Sequence, residues 1–220
     1  MRRFTLFSLA LSLLALVWAP LASAQAINLW EEGKHYERIN PAQPTTTGDK
    51  VEVVEVFSYA CVHCANFDPH LEAWKKTMPA NAELVLMPAA WNAPFALFAR
   101  AYYTAQVLKA PAEAHQALFN ALHRDRKPIR NLDDLGTFYK DFGIDPDTFV
   151  KTATSFAVET NLKRAMTMVP RYGVRGTPAM IVDGKYRFNV QSAGGSERAA
   201  MALLDFLIAK AAEERAAKGS

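Results

Sequence analysis

Hydrophobic residues are spaced in three different ways along this chain of 220 residues. The first is a solid block. Apolar residues run almost without interruption from Phe4 to Trp18, Pro20 ends the run, and Ala22-Ser23-Ala24 follows. The second is a dense stretch of β-branched and aromatic residues, "KVEVVEVFSY" from Lys50 to Tyr59, which reads as a buried strand. A shorter strand-like stretch, "AELVLMPAA", comes after it. The third is helical spacing. Phe67, Leu71, Trp74 and Met78 recur on one face, with Pro69 inside the predicted helix, where a kink is expected.

Helical spacing then dominates the middle of the chain. Asn92 opens "NAPFALFARAYYTAQVLKA", and Pro111 opens a second helix through about His123. Asn131 is a good N-cap for "LDDLGTFYKDF", with Gly143 as its C-cap, and Asp145-Pro146 supplies an N-cap and a first-turn proline for the next helix. A further helix is expected from about Ala157 to Tyr172, stopped by Gly173. Asp183-Gly184 between two apolar runs predicts a hairpin, and Ser196 predicts the cap of a last amphipathic helix through about Ala211. The polar end, "AKAAEERAAKGS", is expected to fray.

The opening block changes where the chain is expected to work. Arg2 and Arg3, the apolar run and the small residues at 22–24 form a secretory signal peptide over residues 1–24. A membrane anchor is the alternative, but the run is short of the roughly 20 apolar residues that a bilayer span needs. The residues after Arg2-Arg3 fit a twin-arginine signal poorly. Formal net charge is +3, and removing Arg2 and Arg3 leaves +1. A nearly neutral mature chain gives no reason to expect nucleic-acid binding or general attraction to membranes.

Both cysteines of the chain, Cys61 and Cys64, lie in "SYACVHCANF". An exported chain can keep a disulfide. Structural disulfides stabilise mainly by closing long loops, and this pair closes almost none. Haem attachment needs a histidine directly after the second cysteine, and Ala65 stands there. A zinc site needs about four ligands, and the spacing of His35, His63 and His70 does not supply them. Redox exchange is the remaining use, and it calls for no cofactor and no metal. Cys61 falls where a strand hands over to a helix N-terminus, whose unpaired N–H groups stabilise a thiolate. Cys64, one turn in, is more enclosed. Cys61 is therefore the attacking sulfur and Cys64 the resolving one. His63 stands close enough to favour the Cys61 thiolate by charge or hydrogen bond, with a solvated loop histidine as the alternative. Stabilising the thiolate stabilises the reduced form, which makes the disulfide an oxidant.

Thr177-Pro178 precedes the predicted hairpin, where proline fits a strand start or edge. The strand leading into Cys61-Val62-His63-Cys64, the helix containing Pro69 and the later Gly176-Thr177-Pro178 together resemble the thioredoxin superfamily. The signal peptide, the C-x-H-C centre and the helical segment between the motifs make the chain similar to the DsbA family of disulfide oxidoreductases. That resemblance implies an α/β thioredoxin fold with an inserted α-helical domain. Residues 25–93 and 167–220 would form the thioredoxin domain and 94–166 the insertion. It implies a cis bond at Thr177-Pro178 beside the sulfurs, and it matches Glu55 to the family's buried acid beneath them; Asp68 is a second acidic candidate. Val62 departs from the proline of the best-known centre, and "AELVLMPAA" holds no lysine to pair with Glu55. Periplasmic location is implied. So are unfolded exported clients with free cysteines, a membrane quinone-linked DsbB-type reoxidising partner, and a monomer. A reductase or isomerase on the same fold, or a secreted peptide-binding chaperone with incidental cysteines, are the competing readings. Phe95, Phe98, Tyr102 and Tyr103 either line a peptide groove or fill core.

Overall fold

Two residues, Glu37–Arg38, make the first strand (β1), too short for any alternation to show in sequence. The strand read at Lys50 to Tyr59 forms as β2 (Val51–Phe57), and all of it is buried. The computed structural model describes residues 29–219, with side chains to residue 217; the expected signal peptide over 1–24 lies outside the described residues. After β2 come helix α1 (Val62–Lys75), which continues through Pro69, and strand β3 (Ala82–Pro88). The helical segment follows as α2 (Ala93–Val107), α3 (Glu113–His123), α4 (Leu132–Lys140), α5 (Pro146–Ala153) and α6 (Phe156–Arg171). Strands β4 (Ala179–Val182) and β5 (Tyr186–Phe188) and helix α7 (Glu197–Gly219) close the chain.

The sheet runs β1-β5-β4-β2-β3. Only β2 and β3 are parallel; β4 is antiparallel to β2, with Glu55 opposite Met180. A central strand covered on both faces reads as a continuous apolar run, which explains the β2 sequence. One face carries Val51 and Val53 against Phe67, Leu71 and Trp74 of α1 and Leu203, Leu204 and Leu207 of α7. The other carries Val54, Val56 and Ile181 against Ala165, Met168 and Val169 of α6. The expected division at residue 166 therefore cuts through one helix, whose last turns cover the sheet.

Local signals set most boundaries. The Asn92 side chain accepts from Phe95 N–H at 3.0 Å, Asn131 from Asp134 N–H at 2.8 Å, and Asp145 from Thr148 N–H at 2.8 Å. Each cap satisfies an amide that the helix start leaves unpaired. The α4 helix ends at Lys140, and Gly143, at φ 78°, closes the turn beyond it. At the hairpin, Asp183 and Gly184 both adopt positive φ, as a tight turn between twisted strands requires.

The C-terminus corrects the sequence reading. The last helix does not stop near Ala211 and fray; it runs to Gly219. Its polar residues have partners on the hairpin. Arg215 Nε donates to buried Asp183 Oδ1 at 2.9 Å and its Nη1 to Gly48 O at 2.9 Å, while the Tyr186 hydroxyl donates to Glu214. Composition alone reads such residues as solvated, but long-range ion pairs hold them here.

Candidate active site

The site begins where β2 ends. Phe57 and Tyr59 are buried among the aromatic residues of α2 and α3, which holds the turn before α1 in place. Cys61 N–H donates to Ser58 O at 3.0 Å, and Cys61 is the N-cap of α1 in extended conformation, φ −100° and ψ 114°. Its own carbonyl accepts from Cys64 N–H and Ala65 N–H, each at 3.1 Å. The sulfur thus sits at the open end of the helix, half-buried, while Cys64 is fully enclosed. Both are free thiols.

That asymmetry separates the two sulfurs chemically. The Cys61 pKa is lowered to about 5. The largest cause is a hydrogen bond from the Cys64 side chain, opposed by burial and assisted by the Thr177 side chain and the N–H groups of Cys64 and His63. Cys64 is pushed far up, first by burial and then by its bond to Cys61. In the dithiol, the proton stays on Cys64 and the negative charge rests on Cys61. The helix N-terminus acts here through the amides of His63 and Cys64. His63 contributes through its backbone; its ring is exposed on the rim of a neighbouring cavity.

The loop before β4 completes the site. Thr177-Pro178 is a cis bond, and Cys61 Sγ lies 3.3 Å from Thr177 O. Residues 116 positions apart are thereby brought to one sulfur. A cavity of about 410 Å³ opens beside them, lined by His63, Asn66, Thr177, Pro178, Gln191 and Glu197 among others.

Beneath the sulfurs, Glu55 is 2% exposed, and burial raises its pKa, with Asp68, Cys61 and Glu72 adding to the shift in that order. Asp68 is equally buried; its Oδ1 meets His115 Nε2 at 3.1 Å, and its Oδ2 has no hydrogen-bond partner. His115 Nδ1 lies 2.6 Å from the Tyr59 hydroxyl, and His123 Nε2 lies 2.7 Å from the Tyr59 carbonyl. The sequence reading missed His115, His123 and Tyr59. Their only signal is that two histidines interrupt the apolar face of α3. Phe98 and Tyr102 are core, and Phe95 and Tyr103 pack partly buried beside α6.

Comparison with known proteins agrees with this geometry. Residues 94–202 match the DSBA-like thioredoxin domain family. The thiol:disulfide interchange protein DsbA of Pseudomonas syringae pv. tomato is 36% identical over 208 residues, 94% of this chain and 96% of that protein. DsbA of Bordetella pertussis is 34% identical over 192 residues, 87% of this chain and 88% of that protein. The crystal structure of Pseudomonas aeruginosa DsbA superposes with a TM-score of 0.80 at 32% identity, covering 87% of this chain and 97% of that one.

Proposed function

This chain belongs to the DsbA family of thiol:disulfide oxidoreductases, and from that premise we propose that it works in the periplasm as a disulfide donor to newly exported proteins. One observation carries the direction of flow: the held-down Cys61 pKa beside the raised Cys64 pKa. A thiolate stabilised only in the reduced form makes the disulfide the less favoured state, and therefore an oxidant.

The reaction is two exchanges. A client thiolate attacks Cys61 Sγ, the Cys61–Cys64 bond breaks, and its electron pair leaves on Cys64 Sγ, which takes up a proton. A second client thiolate then attacks the client's own sulfur in the mixed disulfide. Cys61 leaves as a stable thiolate, and the client keeps the new bond. The client loses two electrons, and the pair of cysteines gains them. Cys61 is the accessible sulfur and so the one attacked. Thr177 and Pro178 would hold the client strand by backbone pairing beside that sulfur, His63 would stand at the cleft mouth, and Glu55 would supply the proton for Cys64. A membrane quinone-linked DsbB-type partner would restore the disulfide.

The test is oxidation of a reduced, unfolded protein with two cysteines. The oxidised chain should form the client disulfide stoichiometrically, and Cys64→Ala, which has no disulfide to give, should form none. A double alanine variant that retained full activity would instead favour a peptide-binding chaperone.

A further inference from the structure

The cavity beside the sulfurs does not end at Thr177. A second cavity, of about 340 Å³, shares Gly176 and Asn189 with it and continues along the loop before Thr177 to β1 and β5. The two differ in charge. Lys34, Arg175 and Arg187 line the second cavity with Glu37 as its one acid, whereas Glu197 lines the first beside His63. We infer that these cavities read the charge of the client: an acidic side chain two residues from the client's reacting cysteine binds at Arg175. The same side chain on the other side of the cysteine faces Glu197 and gains nothing. The inference rests on the proposed reading of the chain as a disulfide donor to client strands held at Thr177.

Arg175 carries the argument. Its side chain is exposed and, among the described residues, has no ion pair or hydrogen bond. The other two cations are partly committed. Arg187 Nη1 donates to Tyr172 O at 3.0 Å and its Nη2 to Glu37, which holds the guanidinium against Gly173, where any Cβ would collide with it. Lys34 pairs with Glu31 at 3.3 Å, but both side chains are largely exposed, and such a pair holds a lysine weakly. Three cations against Glu37 and Glu31 leave a surplus of one positive charge, and the unpaired group is Arg175.

The spacing follows from strand pairing. Cys61 Sγ lies 3.3 Å from Thr177 O, so a client strand paired there sets its own cysteine at Thr177. Arg175 stands two residues earlier, at most about 7 Å away along the backbone. Two residues of an extended client span the same distance, and they point to the same face. The client residue that meets Arg175 is therefore two positions from the cysteine. Opposite charges facing each other across paired strands attract, and like charges repel. In the other direction the wall is Pro178 and Glu197, and the Glu197 carboxylate has no ion pair among the described residues.

The test uses peptides with two cysteines joined by a flexible Gly-Ser linker, each cysteine having Asp, Ser or Lys either two positions after it or two positions before it. Reduction of the oxidised protein by excess peptide is followed at low salt. Each rate is divided by that peptide's rate with bis(2-hydroxyethyl) disulfide, a neutral reference that cancels differences in thiol reactivity. On one side of the cysteine Asp should exceed Ser, and Ser exceed Lys, by about twofold to fivefold per step, the range of a charge pair across strands. That order should fade as salt is raised. On the other side Asp should give no advantage. Arg175→Glu should reverse the order and Arg175→Lys should keep it. Equal rates for the three peptides overturn the inference. So does an advantage for Asp of the same size on both sides, which overall charge alone would give, or an order that Arg175→Glu leaves intact or Arg175→Lys abolishes. Failure of the underlying reading looks different: the Ser peptides would not be oxidised at all.

Discussion

Lowering the pH should remove the advantage of the reduced fold over the oxidised one. Cys61 has its pKa held near 5 in the folded dithiol and near 8.5 when unfolded. Because the folded value is the lower one, this contribution is complete above pH 8.5. It shrinks as pH falls through the window and is gone below about 5. Each pH unit in that window is worth about 1.4 kcal/mol, so the unscreened total is about 5 kcal/mol, of which nearly 3 remains at pH 7. Cys61 is only half-buried, and solvent screening of a partly exposed group brings these to about half, near 2.5 and 1.4 kcal/mol. Above pH 8.5 the buried Cys64 works the other way, because its folded pKa is raised and the unfolded thiol ionises first. The difference should therefore peak near pH 8.5. Guanidinium unfolding of the reduced and oxidised forms, at matched pH from 4.5 to 9, reads it directly. The oxidised protein, which lacks the thiol, cancels background titrations. The reduced-minus-oxidised stability should rise by about 2 kcal/mol from pH 4.5 to 8.5, or roughly 5 °C in Tm for a protein of this size. A difference that stayed flat across this range would refute the argument, whatever its sign.

Three further outcomes follow from other parts of the molecule. Glu55→Gln should be more stable than the parent in denaturant unfolding at pH 7, and equal to it at pH 4. Glu55 has a raised folded pKa, so its stability cost grows as pH rises above about 4.3, and glutamine removes that cost. Arg215→Ala should lower stability by about 1–3 kcal/mol by leaving Asp183 with Lys185 as its remaining cation, at 2.8 Å; chemical denaturation measures this, and protease should then trim the end of α7. Gly184→Ala should cost at least about 2 kcal/mol, because φ is +61° and a Cβ would fall 2.1 Å from Gln43 O; the same unfolding curve checks it.

What could be read from sequence depended on how far apart the cooperating residues lie. The caps at Asn92, Asn131 and Asp145 and the turn at Asp183-Gly184 act over three or four residues, so composition and spacing identify them. The β2 core strand reads correctly because burial on both faces demands an unbroken apolar run. The position of Cys61 at a helix start follows from the same local patterns. Contacts between distant segments left no comparable mark. Cys61 and Thr177 are 116 residues apart, and resemblance rather than spacing brought them together. His115 meets Asp68 and Tyr59 across 47 and 56 residues, and its place on the apolar face of α3 does not say which residues it meets. The polar end of α7 is the same case in reverse, since its partners at Asp183 and Tyr186 lie on the hairpin rather than on its own helix. The source of the low Cys61 pKa was likewise only half legible. A helix terminus can be inferred, but a leading contribution from the Cys64 thiol needs the folded geometry.

The central claim is that the fold prefers the dithiol, and equilibrium with glutathione tests it most directly. Purified protein would be incubated in defined ratios of reduced to oxidised glutathione at pH 7, and the redox state of Cys61 and Cys64 read by thiol alkylation. The account predicts a couple clearly more oxidising than glutathione, with the protein half reduced while oxidised glutathione still predominates. A midpoint as reducing as thioredoxin's, about −270 mV, would contradict it and turn the direction of electron flow around.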